Sequence, residues 1–137
     1  LNAALLAGVA LLGMALVAGS WSARAARLGW DPISSQVIDA VQRCPGRLYN
    51  RFDDGGYLIW FAPEVPVFVD NRQDPYPLSF LQDHLRHEQT GDYDEVFARY
   101  QVTCAFLPPE SPTAQRLLSN AWQTTARDGK WLVLRAP

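Results

Sequence analysis

Hydrophobic and polar positions divide this chain sharply at its start. From Leu1 to Trp21 no side chain is charged. As an α-helix this run is about 30 Å long at ~1.5 Å per residue, the thickness of a bilayer's hydrocarbon core. Backbone groups in lipid must be satisfied within the segment, so the pattern predicts a transmembrane helix over 1–22. After it, Ile33, Val37, Ile38 and Val41 recur at helical spacing, with Asp31 suited to the N-cap and Pro32 to the first turn. Residues 23–45 therefore read as a juxtamembrane linker and an amphipathic helix.

From residue 46 the period alternates between strand and helix. The pattern predicts a strand over 47–52 and a short helix from Tyr57 to Phe61 begun by Asp53-Asp54-Gly55-Gly56. The run Val65-Pro66-Val67-Phe68-Val69-Asp70 reads as a buried strand, and 71–77 as a loop. Helices follow from 78 or 79 to about Gly91, over 92–100, and from a Ser111-Pro112 cap to Ala121. Val102 to Leu107 is a second buried strand. Asp128-Gly129, between two strand patterns at 122–127 and 130–135, is a strong hairpin signal. The order is that of an α/β fold, a small three-layer-like domain over 46–137 with a mostly parallel sheet and a C-terminal β-hairpin.

Two other readings of the first segment compete with a membrane span. A cleavable signal would use the small-x-small site Ala23-Arg24-Ala25 and release a secreted protein, but no basic residue precedes the apolar run. A buried helix of a soluble protein is the third. With Leu1 rather than Met at its start, the chain reads as the last span and tail of a longer multi-pass protein. Arg24 and Arg27 favour a cytoplasmic tail by the positive-inside tendency.

Net charge is −2, and no basic stripe is interleaved with aromatics, which argues against nucleic acid as a partner. Cys44 and Cys104 are the only cysteines. They are open to one disulfide in an oxidising compartment or to two buried thiols; the apolar strand around Cys104 favours separate thiols. His84 and His87 lie three apart on a helix with no cysteine nearby and read as solvent-facing. No metal and no cofactor is expected. Ser79 and Ser111 read as caps without a Ser-His-Asp context.

Candidate ligand chemistry gathers at the carboxyl ends of the predicted strands, where ligands bind in open α/β sheets. Asn50, Asp53, Asp70, Asn71 and Arg72 fall there, with Tyr76 close behind. A helix opened by Gly55-Gly56 would offer N–H groups to an anion, and Arg72 a bidentate contact to a phosphate or carboxylate. The plainer alternative gives these residues structural work: Asp53 or Asp54 as a cap, the glycines for turning and packing, and Asp70 paired with Arg72.

The spaced elements Leu48-Tyr49-Asn50, Gly55-Gly56-Tyr57-Leu58-Ile59-Trp60, Pro66-Val67-Phe68-Val69-Asp70-Asn71-Arg72, Tyr76, Tyr100-Gln101-Val102, Leu107-Pro108-Pro109 and Trp122 occur in one order. Together they resemble the C-terminal domain of bacterial polytopic membrane proteins similar to GT-C-type glycosyltransferases of the dolichyl-phosphate-mannose-protein mannosyltransferase kind. The usual Asp-Gly-Arg of that family is Asp70-Asn71-Arg72 here, a change that suits a left-handed residue 71. The aromatic usual before Gly-Gly is Asp54. The resemblance implies an extracytoplasmic accessory domain of an inner-membrane protein, partnered by membrane lipid, upstream transmembrane helices, and a glycan or lipid-phosphate head group. It places the catalytic acid in an upstream loop, so no catalytic residue is expected here. The candidate ligand-binding set, taken from these residues, is Asn50, Gly55, Gly56, Tyr57, Asp70, Asn71, Arg72 and Tyr76. A non-enzymatic, membrane-tethered interaction or scaffold domain is the alternative.

Overall fold

Ser34 starts the folded domain: its side chain accepts from the Val37 N–H and caps α2 (Ser35–Gln42). The expected cap at Asp31, with Pro32, lies outside the residues that the computed structural model describes, which are 2–27, 33–72 and 74–137. The chain divides into two units, residues 1–32 and 33–137. The first is α1 (Asn2–Arg27), in which every side chain from Ala3 to Ser20 is exposed. That 18-residue window has a mean hydropathy of 2.1, enough in length and composition to cross a membrane.

The second unit is a mixed α/β domain. After α2 come β1 (Arg47–Asn50), a 3₁₀ turn (Phe52–Asp54), α3 (Gly55–Phe61), α4 (Leu78–Thr90), α5 (Asp94–Tyr100), β2 (Val102–Leu107), α6 (Pro112–Ser119), β3 (Gln123–Arg127) and β4 (Leu132–Arg135). The sheet order is β1-β2-β4-β3. Only β1 and β2 run parallel, with Asn50 beside Phe106; β2–β4 and β3–β4 are antiparallel. This corrects the expected mostly parallel sheet. The final hairpin supplies two of the four strands, and the expected strand over 65–70 does not join the sheet. Pro66 lacks a ladder donor, and the stretch is held beside β1 by a side chain instead, as described below.

Alternate strand residues feed two cores. Leu48, Phe106, Trp131 and Val133 pack with Val37 and Val41 of α2 and Leu58 of α3. Tyr49, Ala105, Leu107, Leu132 and Leu134 pack with Phe97 of α5 and Leu117 of α6. Asp128 locks the hairpin turn by accepting from the Lys130 and Trp131 N–H groups at 2.9 and 2.7 Å, and it also reaches the Ser34 N–H. Cys44, just after α2, and Cys104 of β2 form a disulfide with a Cα–Cα distance of 6.1 Å. The separate-thiol expectation is therefore corrected: an apolar strand position is no bar to a crosslink when the partner packs over it.

Two helix details also differ from expectation. Ser111 caps α6 through the Ala114 N–H, but the cap position of α4 is Pro77, so Ser79 lies inside that helix. Gly91 ends α4 at φ +70°, where a side chain would be strained and would crowd Pro112.

Candidate functional site

Asn50 ends β1 fully buried, and its amide grips the neighbouring chain. Its Nδ2 donates to the Val69 carbonyl at 2.7 Å and the Arg51 carbonyl at 2.8 Å, while its Oδ1 accepts from the Phe68 N–H at 2.8 Å. Here a side chain does the work of a strand ladder. Gly55 completes the hold from the other side. A Cβ there would stand 2.1 Å from the Val69 oxygen and 2.8 Å from the Asp70 Cα, so only glycine lets α3 press against this backbone.

Pinned between them, Asp70 is wholly buried, yet its carboxylate organises the exposed loop that follows. It accepts from the Arg72 N–H at 2.9 Å, from Arg72 Nε and Nη2 at 3.0 and 2.7 Å, and from the Tyr76 hydroxyl at 3.2 Å. The Arg72 bonds hold the Asp70 carboxyl below the ordinary aspartate range. Burial, reinforced by Asp70, raises the Tyr76 phenol. The Arg72 side chain remains 70% exposed outside this clasp.

The structure thus brings together Asn50, Gly55, Gly56, Asp70, Asn71, Arg72 and Tyr76; Gly56 faces the Asn71 side chain. Tyr57 points elsewhere, its ring lying 5.8 Å from that of Trp131 and within cation–π range of Lys130. Asn71 is not left-handed; the non-glycine residues at positive φ are Gln101 and Ala121 among those described. Nor is the Gly-Gly helix start an open anion cradle. The 3₁₀ turn runs straight into α3, and Asp54 turns away from capping to make a bidentate pair with Arg51 at 2.8 and 3.2 Å. Asp53 is exposed.

A second polar group lies beneath α4. His84 is 3% exposed, not solvent-facing, and its Nε2 lies 2.8 Å from Glu88, close enough for an ion pair but not aligned for a hydrogen bond. Glu88 in turn accepts from the Phe52 N–H at 2.6 Å. Tyr49 packs against the His84 ring, and burial pushes its phenol up; its hydroxyl meets no hydrogen-bond partner among the described residues. His87 is half-buried and binds the Asp92 carbonyl, closing the end of α4. The available signal was the four-residue spacing of Phe80, His84 and Glu88, one face of a helix that competes with the leucine face.

Asp70 and Asp54 have opposite pH consequences. Because Asp70 has a depressed folded pKa, its contribution is complete above the unfolded value of about 4 and is lost as pH falls through the folded one. Burial raises Asp54 despite Arg51, so its ionised form costs stability above its folded pKa, a cost relieved on acidification. Asp70→Asn should therefore be destabilised relative to wild type at pH 7, with the gap narrowing below about pH 4. Thermal unfolding of the full chain in detergent micelles at pH 7, 5 and 3 measures it. A gap that stays constant would assign the Asp70 effect to shape rather than charge.

Fold and site define a class: a mixed α/β domain behind a long apolar helix, with a clasped loop at the end of its edge strand. Compared with known proteins, the chain matches no family model, no curated protein and no solved structure.

Proposed function

We propose that this chain is the final transmembrane helix and extracytoplasmic accessory domain of a multi-pass inner-membrane protein related to GT-C-type glycosyltransferases. In this reading the domain supports a transferase site built by helices upstream. The observation that carries it is the Cys44–Cys104 disulfide in a domain joined to an apolar helix of spanning length. Disulfides persist on the oxidising side of a membrane, which outweighs the small opposing bias of Arg24 and Arg27. A glycan or lipid-phosphate head group would meet Arg72 and Asn71, the exposed members of the candidate set, while Asn50, Gly55 and Asp70 hold their loop in place.

Alkylation with a thiol-reactive polyethylene glycol, applied to protein precipitated from cells with acid and then denatured, tests the orientation. The expected result is no modification until a reductant is added, then two adducts. Labelling of both cysteines without reductant would place the domain in the cytoplasm and end this reading. The transferase part is tested by the coding sequence upstream of Leu1, expected to hold several more apolar spans and an acidic first loop.

One observation favours the second reading, a non-enzymatic tethered scaffold. The Asn50 amide and the Asp70 carboxylate spend their hydrogen bonds inside the domain. Titration with a millimolar sugar phosphate that leaves Asn71 and Arg72 unperturbed would select it.

A further inference from the structure

Large apolar side chains on α3 and α4 face outward. Trp60 is 76% exposed, Leu78 70%, Leu85 42% and Ile59 41%. On α4 the residues Leu78, Leu81 and Leu85 follow helical spacing, but the helix is turned so that His84 fills the core while Leu78 and Leu85 face out. On α3, Trp60 lies one turn beyond Gly56, and Gly56 abuts Asn71. Asn71 leads to Arg72, and the loop ends where α4 begins at Leu78. The clasped loop thus joins the two outward apolar faces in sequence.

We propose that Ile59, Trp60 and Leu78 dock this domain on the surface of the bilayer that α1 spans, entering the boundary between headgroups and acyl chains. The inference rests on the membrane reading of α1 and adds a second point of attachment. Two observations choose a bilayer as the occupant, and a third sets which lipids it needs. The apolar window of α1 ends at Ser20, and α1 itself ends at Arg27. Five linking residues, 28–32, can span at most about 18 Å, and the seven helical residues before them about 10 Å, so Ile33 starts within roughly 30 Å of the hydrocarbon core. Tryptophan with arginine and tyrosine is the side-chain chemistry of that interface, and Arg72 and Tyr76 lie in the loop that links α3 to α4. Finally, a net charge of −2 gives no polybasic attraction, so docking relies on apolar insertion and needs no anionic lipid.

The test uses the full chain carrying Trp21→Phe and Trp30→Phe, reconstituted in phosphatidylcholine vesicles with or without brominated acyl chains. Flotation reports α1, and quenching of the remaining tryptophans reports docking. Of these, Trp131 is 3% exposed in the core and Trp122 is half-buried against Phe97, so Trp60, at 76% exposed, should dominate the quenched emission. Trp60→Phe should reduce the quenched fraction by roughly twofold or more, and 1 M salt should leave it unchanged. Ile59→Asp with Leu78→Asp, both at exposed positions, should lower quenching while the thermal transition persists. A chain that floats with Trp60 unquenched overturns the docking proposal alone. Unquenched but blue-shifted Trp60 emission overturns it in favour of a protein occupant. A chain that does not float overturns both the α1 reading and the docking.

Discussion

Reducing the Cys44–Cys104 disulfide should lower the stability of the domain by about 4 kcal/mol, as expected in the chain-entropy description for a closed loop of this length. The two cysteines are 60 residues apart, so the crosslink removes a large share of the freedom of the unfolded chain. Within that loop lie β1, α3, α4 and α5, including every element that builds the clasp. The bond also ties the end of α2 to the central strand β2, where α2 covers one of the two cores. Urea unfolding of the full chain in detergent micelles, followed by tryptophan emission with and without reductant, measures the loss. At a slope of about 1.5 kcal/mol per molar urea, the midpoint should fall by roughly 3 M. Cys44→Ser with Cys104→Ser should reproduce the reduced midpoint without reductant. A shift below about 0.5 M would mean that the unfolded chain is already restricted without the bond.

The same elements show what the sequence could and could not convey. The strand over 102–107, the Ser111 cap, the Gly91 stop and the Asp128-Gly129 turn depend on local chemistry, and the structure has them at those positions. The stretch 65–70 misleads because an apolar β-branched run satisfies a buried strand and a buried extended segment equally. What separates them is the partner of its backbone, and that partner is a side chain 18 residues away in sequence. His84 misled for a related reason. Both a leucine stripe and a Phe80-His84-Glu88 stripe run along α4, and only tertiary packing decides which turns inward. The clasp was partly legible. The Asp70–Arg72 pairing was available as an alternative from spacing, whereas the Asn50 amide bonds and the backbone crowding at Gly55 arise only once β1 meets 68–70.

Asn50→Ala should cost about 3–5 kcal/mol, more than its small loss of volume suggests. Three hydrogen bonds disappear, and the Phe68 N–H and the Val69 carbonyl lose these partners in the interior. No ladder stands behind them, because 65–70 does not pair with β1. Asn50→Asp distinguishes hydrogen bonding from packing. Its carboxylate can still accept from Phe68, but an ionised one cannot donate to Val69 or Arg51, and it adds charge to a buried site. Both variants should therefore be destabilised in urea, with Asn50→Asp no better than Asn50→Ala. A second readout follows the loop itself. With Val69 released, Asp70 no longer holds Arg72 by its two guanidinium bonds, so trypsin should cut after Arg72 at urea concentrations where wild type resists. If Asn50→Ala unfolds like wild type and Arg72 stays protected, the amide is not what holds 68–70, and the Gly55 contact alone must carry the clasp.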